Sequence, residues 1–372
     1  MFLWRILVIV MAVCLGVSVI YLWTRFHRFR SFQRLGKKHR ILGWLAALCP
    51  LFLIGCFYLF NFFTLIVVVL HLVLFFALCD LAGWIINKIC HRPGRKEVAT
   101  SRRYMAGTMA LILCALYLGI GWFNAHHVRE THYTFTTGKD LGGEPLRIVE
   151  IADSHLGITL DGDSFGRQIE RVQQTEPDIV LIVGDFVDDD TLKADMLEAC
   201  EALGTLKTRY GVYFVFGNHD KGYYQYRDFT SAELRTALAE NNVTILEDEV
   251  TLVEDRFYVI GRQDRTAPGR AEASSLTEPL DDSKYQILLD HQPNDYAGEA
   301  ASGADLVLSG HTHGGHIFPA GQIGLLMHAN DRIYGTEQRG STCFVVTSGI
   351  SGWAIPFKTG TFSEYVVIDI DN

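Results

Sequence analysis

Five short polar blocks in this sequence could do chemistry together: Asp153-Ser154-His155, Gly184-Asp185, Gly217-Asn218-His219-Asp220, His291, and Gly310-His311-Thr312-His313. The set holds carboxylates, imidazoles and one amide but no thiolate. That mixture suits borderline-to-hard divalent ions, with manganese, iron and zinc as the candidates. Asp153, His155, Asp185, Asn218, His291, His311 and His313 make seven candidate ligands, whereas about four fill a single ion. A carboxylate shared between two ions roughly 3.5 to 4 Å apart would use the surplus and hold a bridging water. Any one block is weak evidence, because an Asp-x-His arises by chance and a lone buried His is usually a satisfied core residue. The force lies in five blocks in order, several paired with Gly for close backbone approach.

The elements that must position them are short β-branched runs at 146–151, 178–183, 212–216, 285–289 and 306–308, with a sixth at 344–346. Each reads as a buried strand. Helices are expected at 164–174, 192–206 and 231–241, strand-rich segments at 243–261 and 323–370, and one edge strand near 133–136. Alternating runs and amphipathic stretches indicate an α/β layered domain over 146–372, behind a connector at 125–145. Ligands in such sheets bind beyond the carboxyl ends of the strands, so five strands would deliver their polar ends to one edge.

Charge divides the chain. Residues 1–131 hold fifteen of the 33 Lys+Arg but only Asp80, Glu97 and Glu130 of the 42 Asp+Glu, a net of +12; the remainder holds 18 against 39, a net of −21. An acidic domain argues against nucleic acid, which needs a basic face. Six of the eight cysteines lie in the apolar part and no CxxC occurs, so no disulfide framework or zinc ribbon is implied.

The basic part reads as a membrane region over 1–124 with about four spans, at 6–24, 41–60, 62–86 and 104–123. A cleaved signal peptide is the rival for the first, but the basic cluster follows the apolar run. Residues 41–79 carry no Asp, Glu, Lys or Arg, too long for one crossing; a turn is expected near Phe60 and Asn61, with Pro50 kinking the first of the pair. Two basic loops flank this hairpin: Arg25, Arg28, Arg30, Arg34, Lys37, Lys38 and Arg40, then Lys88, Arg92, Arg95, Lys96, Arg102 and Arg103. Both are expected in the cytoplasm, which sends everything after about residue 124 outside. The chain is therefore expected to be a multi-pass integral membrane protein with an extracytoplasmic catalytic domain. Asp80, late in the third span, is expected to reach the interface and has no partner visible in the sequence.

With these blocks in hand, residues 146 to about 370 resemble the calcineurin-like metallophosphoesterase superfamily: the Asp-x-His, Gly-Asp-x-x-Asp, Gly-Asn-His-Asp, lone His and Gly-His-x-His blocks match in order. Gly314-Gly315 resembles the bacterial branch with N-terminal membrane segments. The resemblance implies a layered β-sandwich flanked by helices. It implies one metal held by Asp153, His155 and His313, a second by Asn218, His291 and His311, and Asp185 bridging both, with manganese first and iron or zinc as alternatives. His219 would contact the phosphate rather than a metal, and Asp220 would orient that imidazole. The implied activity is hydrolysis of a phosphodiester or pyrophosphate bond by a metal-bridging hydroxide. Ser154 replaces the Leu often found there, at a position that does not ligate.

Several residues stay open at this level. Asp188 is expected to hydrogen-bond its loop, His316 either extends toward the site or starts a strand, and His126, His127, His132 and His328 read as surface residues. The aromatic stretch 222–226 could cover substrate. Relatives of this kind act on nucleotide-linked lipid precursors such as diacylated UDP-glucosamine, but those are cytoplasmic. The topology favours an extracytoplasmic phosphodiester or lipid-linked phosphate. The rivals are a lipid-precursor pyrophosphatase and a catalytically silent membrane receptor or scaffold. Nothing in the sequence bears on oligomeric state.

Overall fold

The computed structural model describes residues 2–90, 104–222 and 227–371, which divide into two compact units, 1–120 and 121–372. The first unit is helical: α1 (Phe2–His27), α2 (Arg30–Lys38), α3 (Arg40–Ala46), α4 (Cys49–Gly55), a 3-10 turn (Cys56–Leu59), α5 (Phe62–Cys90) and most of α6 (Met105–His126). Three stretches, Arg40–Leu59, Phe62–Ile89 and Met105–His126, are long and apolar enough to cross a membrane, and α1 is a further apolar helix over the expected 6–24.

Three details differ from expectation in this unit. The first basic stretch is not a plain loop but contains α2. The second expected span breaks at Ala47 and Leu48, and α4 restarts with Pro50 in its first turn, where a missing N–H costs nothing. Asp80 has partners: its carboxylate lies 3.1 Å from Arg25 and 3.0 Å from Arg28 and accepts from the Tyr104 hydroxyl at 2.7 Å. Those partners are distant in sequence and only packing brings them together. Asn61 ends the turn by capping α5, its side-chain oxygen accepting from Thr64 N–H at 2.7 Å. Arg92, Arg95, Lys96, Arg102 and Arg103 of the second basic loop lie outside the described residues.

The second unit runs β1 (Arg129–Thr136), β2 (Leu146–Ile151), α7 (Gly162–Gln174), β3 (Ile179–Val183), α8 (Lys193–Gly204), β4 (Val212–Val215), α9 (Ser231–Glu240), β5 (Val243–Ile245), β6 (Glu249–Val253) and β7 (Phe257–Gly261). It continues α10 (Ala273–Thr277), β8 (Tyr285–Leu289), α11 (Tyr296–Ser302), β9 (Leu306–Ser309), a 3-10 turn (His313–Gly315), α12 (Ala320–Leu326), β10 (Gly335–Arg339), β11 (Thr342–Val346) and β12 (Glu364–Asp371). Two six-stranded sheets form, β1-β12-β2-β3-β4-β5 and β10-β11-β9-β8-β7-β6. Helix α12 overlaps the start of the segment expected to be strand-rich.

The sheets face each other. Ile148, Leu181 and Val183 of the first meet Val259, Ile287, Leu289 and Leu308 of the second in one buried cluster. The outer face of the first sheet packs Val149, Val180 and Phe214 against Phe165, Ile169, Ala199 and Leu238 of α7, α8 and α9. The outer face of the second packs Leu288, Val307 and Phe344 against Ala273 and Tyr296. With both faces covered, β3 (IVLIV) and β4 (VYFV) carry no charged side chain and lack alternation. Parallel β2, β3 and β4 in one sheet and β8 and β9 in the other end at the same rim, and the chemical residues sit there.

Candidate metal centre

Six polar residues at this rim hold left-handed backbone despite carrying side chains: Asp153 (φ 55°), His155 (34°), Asp185 (53°), His311 (69°), His313 (48°) and His316 (43°). Such conformations cost about 1–3 kcal/mol each and cluster at functional sites. Here the turns cross-brace. Asp153 N–H donates to Gly184 O at 3.0 Å and His155 N–H to Asp185 O at 3.1 Å, while the Asp153 carboxylate accepts His311 N–H at 2.9 and 3.0 Å. Glycine is required beside them, since a Cβ on Gly349 would fall 2.5 Å from Asp153 Cβ and one on Gly217 would fall 2.2 Å from Asp185 Oδ1.

Among the described residues three groups bring one ligand atom per residue within 4.8 Å of one another: Asp153, His155 and His313; the adjoining Asp185, His291 and His311; and His155, Asp188 and His219. Asp185 links the first two, its Oδ2 3.0 Å from His291 Nε2 and 3.5 Å from His155 Nε2. Both of those nitrogens are buried without a hydrogen bond of acceptable geometry. Lone pairs that converge without meeting a donor are what bound cations would satisfy, so these residues fit a pair of divalent ions. Asn218 joins through Gln292, whose Nε2 lies 3.4 Å from the Asn218 side-chain oxygen and 2.8 Å from Asp264 Oδ2.

Partners behind the rings set which nitrogen faces the site. His291 Nδ1 lies 2.8 Å from Val183 O and His155 Nδ1 3.1 Å from Asp188 Oδ2, so each presents Nε2 forward. Burial, then the charge of His291, pushes His311 down to about 4, and burial, then His155, lowers His313 well below its ordinary value. Burial would raise Asp185, but the facing His291 overrides it and holds that carboxyl below the ordinary range.

Asp220, expected to orient the His219 ring, is held by backbone. Its carboxylate accepts backbone N–H groups from Asp185 (2.9 Å), Phe186 (2.8 Å), Val187 (3.1 Å) and Gly217 (2.7 Å), tying together the two loops that carry Asp185 and Asn218. The His219 ring is held instead by Asp188, Nδ1 to Oδ1 2.9 Å. Burial opposes protonation of His219, but that hydrogen bond raises its pKa overall. His316 stacks beside His313, centroids 5.3 Å apart, yet belongs to none of the three groups. Trp353, not anticipated, sits 5.6 Å from the His219 ring. In the aromatic stretch, residues 223–226 lie outside the described residues.

A layered α/β sandwich whose strand ends gather carboxylates and imidazoles into two joined clusters defines a metallophosphoesterase-type centre. Residues 146–315 match the family model of the calcineurin-like phosphoesterases. The chain is 30% identical over 256 residues to an uncharacterized metallophosphoesterase of Aquifex aeolicus, covering 66% of this chain and 92% of that one. It is 33% identical over 220 residues to another from Helicobacter pylori (57% and 56%). It is 32% identical over 237 residues to a transmembrane protein with metallophosphoesterase domain from Bos taurus (59% and 51%). The chain belongs to the calcineurin-like metallophosphoesterase family. It spans little more than half the length of the Helicobacter relative.

Proposed function

We propose that this chain is a membrane-anchored phosphoesterase that hydrolyses a phosphodiester or pyrophosphate bond outside the cytoplasm with two divalent ions, manganese first among them. The observation that carries the reading is Asp185, a member of one three-residue cluster whose Oδ2 lies 3.5 Å from His155 Nε2 of the other. In this reading Asp153, His155 and His313 hold one ion, Asn218, His291 and His311 the other, and Asp185 both. When bound, such ions supply Lewis acidity and lower the pKa of water at the site. His219 acts on the substrate: with Nδ1 committed to Asp188, the ring works through Nε2 on a phosphoryl or leaving oxygen.

A silent receptor or scaffold would tolerate a lost ligand, and every candidate ligand position here carries a residue able to bind. A cytoplasmic lipid-precursor pyrophosphatase is disfavoured by the basic residues before α3, which argue for the opposite side. The test is hydrolysis of bis(p-nitrophenyl) phosphate and of p-nitrophenyl phosphate by the full chain in detergent, chelator-stripped and then titrated with Mn²⁺, beside Asp185→Asn. Metal-dependent turnover lost in the variant supports the proposal, and the preferred probe reports the bond class. A chain that binds no metal supports the scaffold.

A further inference from the structure

Residues 317–330 contain no Asp, Glu, Lys or Arg, within a domain of net charge −21. They nevertheless lie at the surface: Phe318 is 54% exposed, Ile323 50%, Leu326 81% and Met327 73%. Four large apolar side chains on one short element form a patch that a water-facing domain ordinarily avoids. The element is fixed to the metal centre, because α12 packs backbone to backbone on the turn after His313; a Cβ on Gly321 would fall 2.4 Å from Gly315 Cα.

A second observation ties this patch to the end of α6. The last turns of α6 belong to the same unit and are bonded to residues 358–363. Gly121 O accepts from Lys358 N–H at 2.8 Å, Asn124 O from Ser363 N–H at 2.8 Å, and Ala125 O from the Ser363 hydroxyl at 2.8 Å. Residues 359 and 360 in turn donate to His316 O, both at 2.9 Å, and Phe318 N–H donates to the Thr359 hydroxyl at 3.1 Å. One stretch of chain therefore separates the end of α6 from Phe318. That end carries Trp122 and Phe123, both about half exposed, the composition of a membrane–water boundary.

From this juxtaposition we propose that residues 318–327 insert into the surface of the bilayer that α6 enters, so that the metal centre works on phosphate esters in lipid headgroups. The insertion rests on α6 being a span; the substrate class rests also on the phosphoesterase reading. Phe318, Ile323, Leu326 and Met327 would lie among acyl chains near the headgroups, as in interfacial helices. Gln322 is the one polar side chain among residues 318–327.

The full chain in phosphatidylcholine nanodiscs, with a benzophenone amino acid at position 326 and in a separate sample at position 252, tests the insertion. Leu252 is also exposed, at 42%, but lies on β6. Irradiation is expected to attach lipid at position 326 and not at 252. No lipid adduct at 326, or an adduct to a second copy of the chain, overturns the insertion. The substrate class is tested with phosphatidyl-p-nitrophenol in the same discs, where water replaces p-nitrophenol on phosphorus. Leu326→Ser with Met327→Ser should lower that rate at least about tenfold and leave bis(p-nitrophenyl) phosphate hydrolysis unchanged. Equal effects on both probes, or activity on the soluble probe alone, overturn the lipid substrate. Activity on neither removes the phosphoesterase reading, while the adduct still decides the insertion.

Discussion

The Asp188 carboxylate and the His219 ring meet at 2.9 Å, Oδ1 to Nδ1, while the other carboxylate oxygen lies 3.1 Å from His155 Nδ1. One side chain therefore aligns a candidate metal ligand and the imidazole proposed to act on substrate. Asp188→Ala is expected to lower kcat by about 10- to 100-fold, the usual effect of removing such a partner, with a folded protein by circular dichroism. Unchanged turnover would show that neither ring depends on it.

Asp220 should behave differently. Removing its carboxylate strands four buried backbone N–H groups, each worth about 1–3 kcal/mol when unsatisfied. Asp220→Ala should lower thermal stability by at least about 3 kcal/mol, read as a large drop in Tm. A stable variant that has lost only turnover would return Asp220 to the role of orienting His219.

His219 and Asp185 should separate in metal content. His219→Ala is expected to retain its metal and lose most turnover, whereas Asp185→Asn, removing the charge between the clusters, should lose both. Elemental analysis of the purified variants checks this, and equal metal loss would undo the proposed division of roles.

Glu150 provides a pH test away from turnover. It is fully buried on β2 with neither oxygen hydrogen-bonded, and burial, then Glu364 and Asp153, raises its pKa well above the ordinary value. A raised folded pKa contributes stability that is complete below the unfolded pKa and is lost as pH rises through the folded pKa. Glu150→Gln keeps the neutral shape, so it should raise Tm at about pH 8 and change it little at about pH 4. Equal shifts at both would mean that folding does not raise the pKa of Glu150.

The proposed topology predicts that a reporter fused to the C-terminus is active outside the cytoplasm. Activity only inside would place the metal centre with cytoplasmic lipid precursors and reverse the reading of the basic segments.

Much of the layered domain was legible because burial on both faces leaves its mark residue by residue: β2, β3, β4, β8 and β9 are apolar runs, and each ends in a polar block. The sequence alone thus determined which residues could ligate, that they lie at strand ends, and that an apolar basic half precedes an acidic one. It could not determine which carboxylate serves which ring. Asp188 and Asp220 each end a Gly-led block, and left-handed backbone at Asp185 and its neighbours, braced by hydrogen bonds between distant loops, decides where each one points. The same holds for Asp80, whose partners Arg25, Arg28 and Tyr104 are 24 or more positions away. It holds also for α12, a short apolar helix that only its packing on Gly315 distinguishes from a strand. Local composition records burial and periodicity; pairings across long sequence separations are set by how the chain closes on itself.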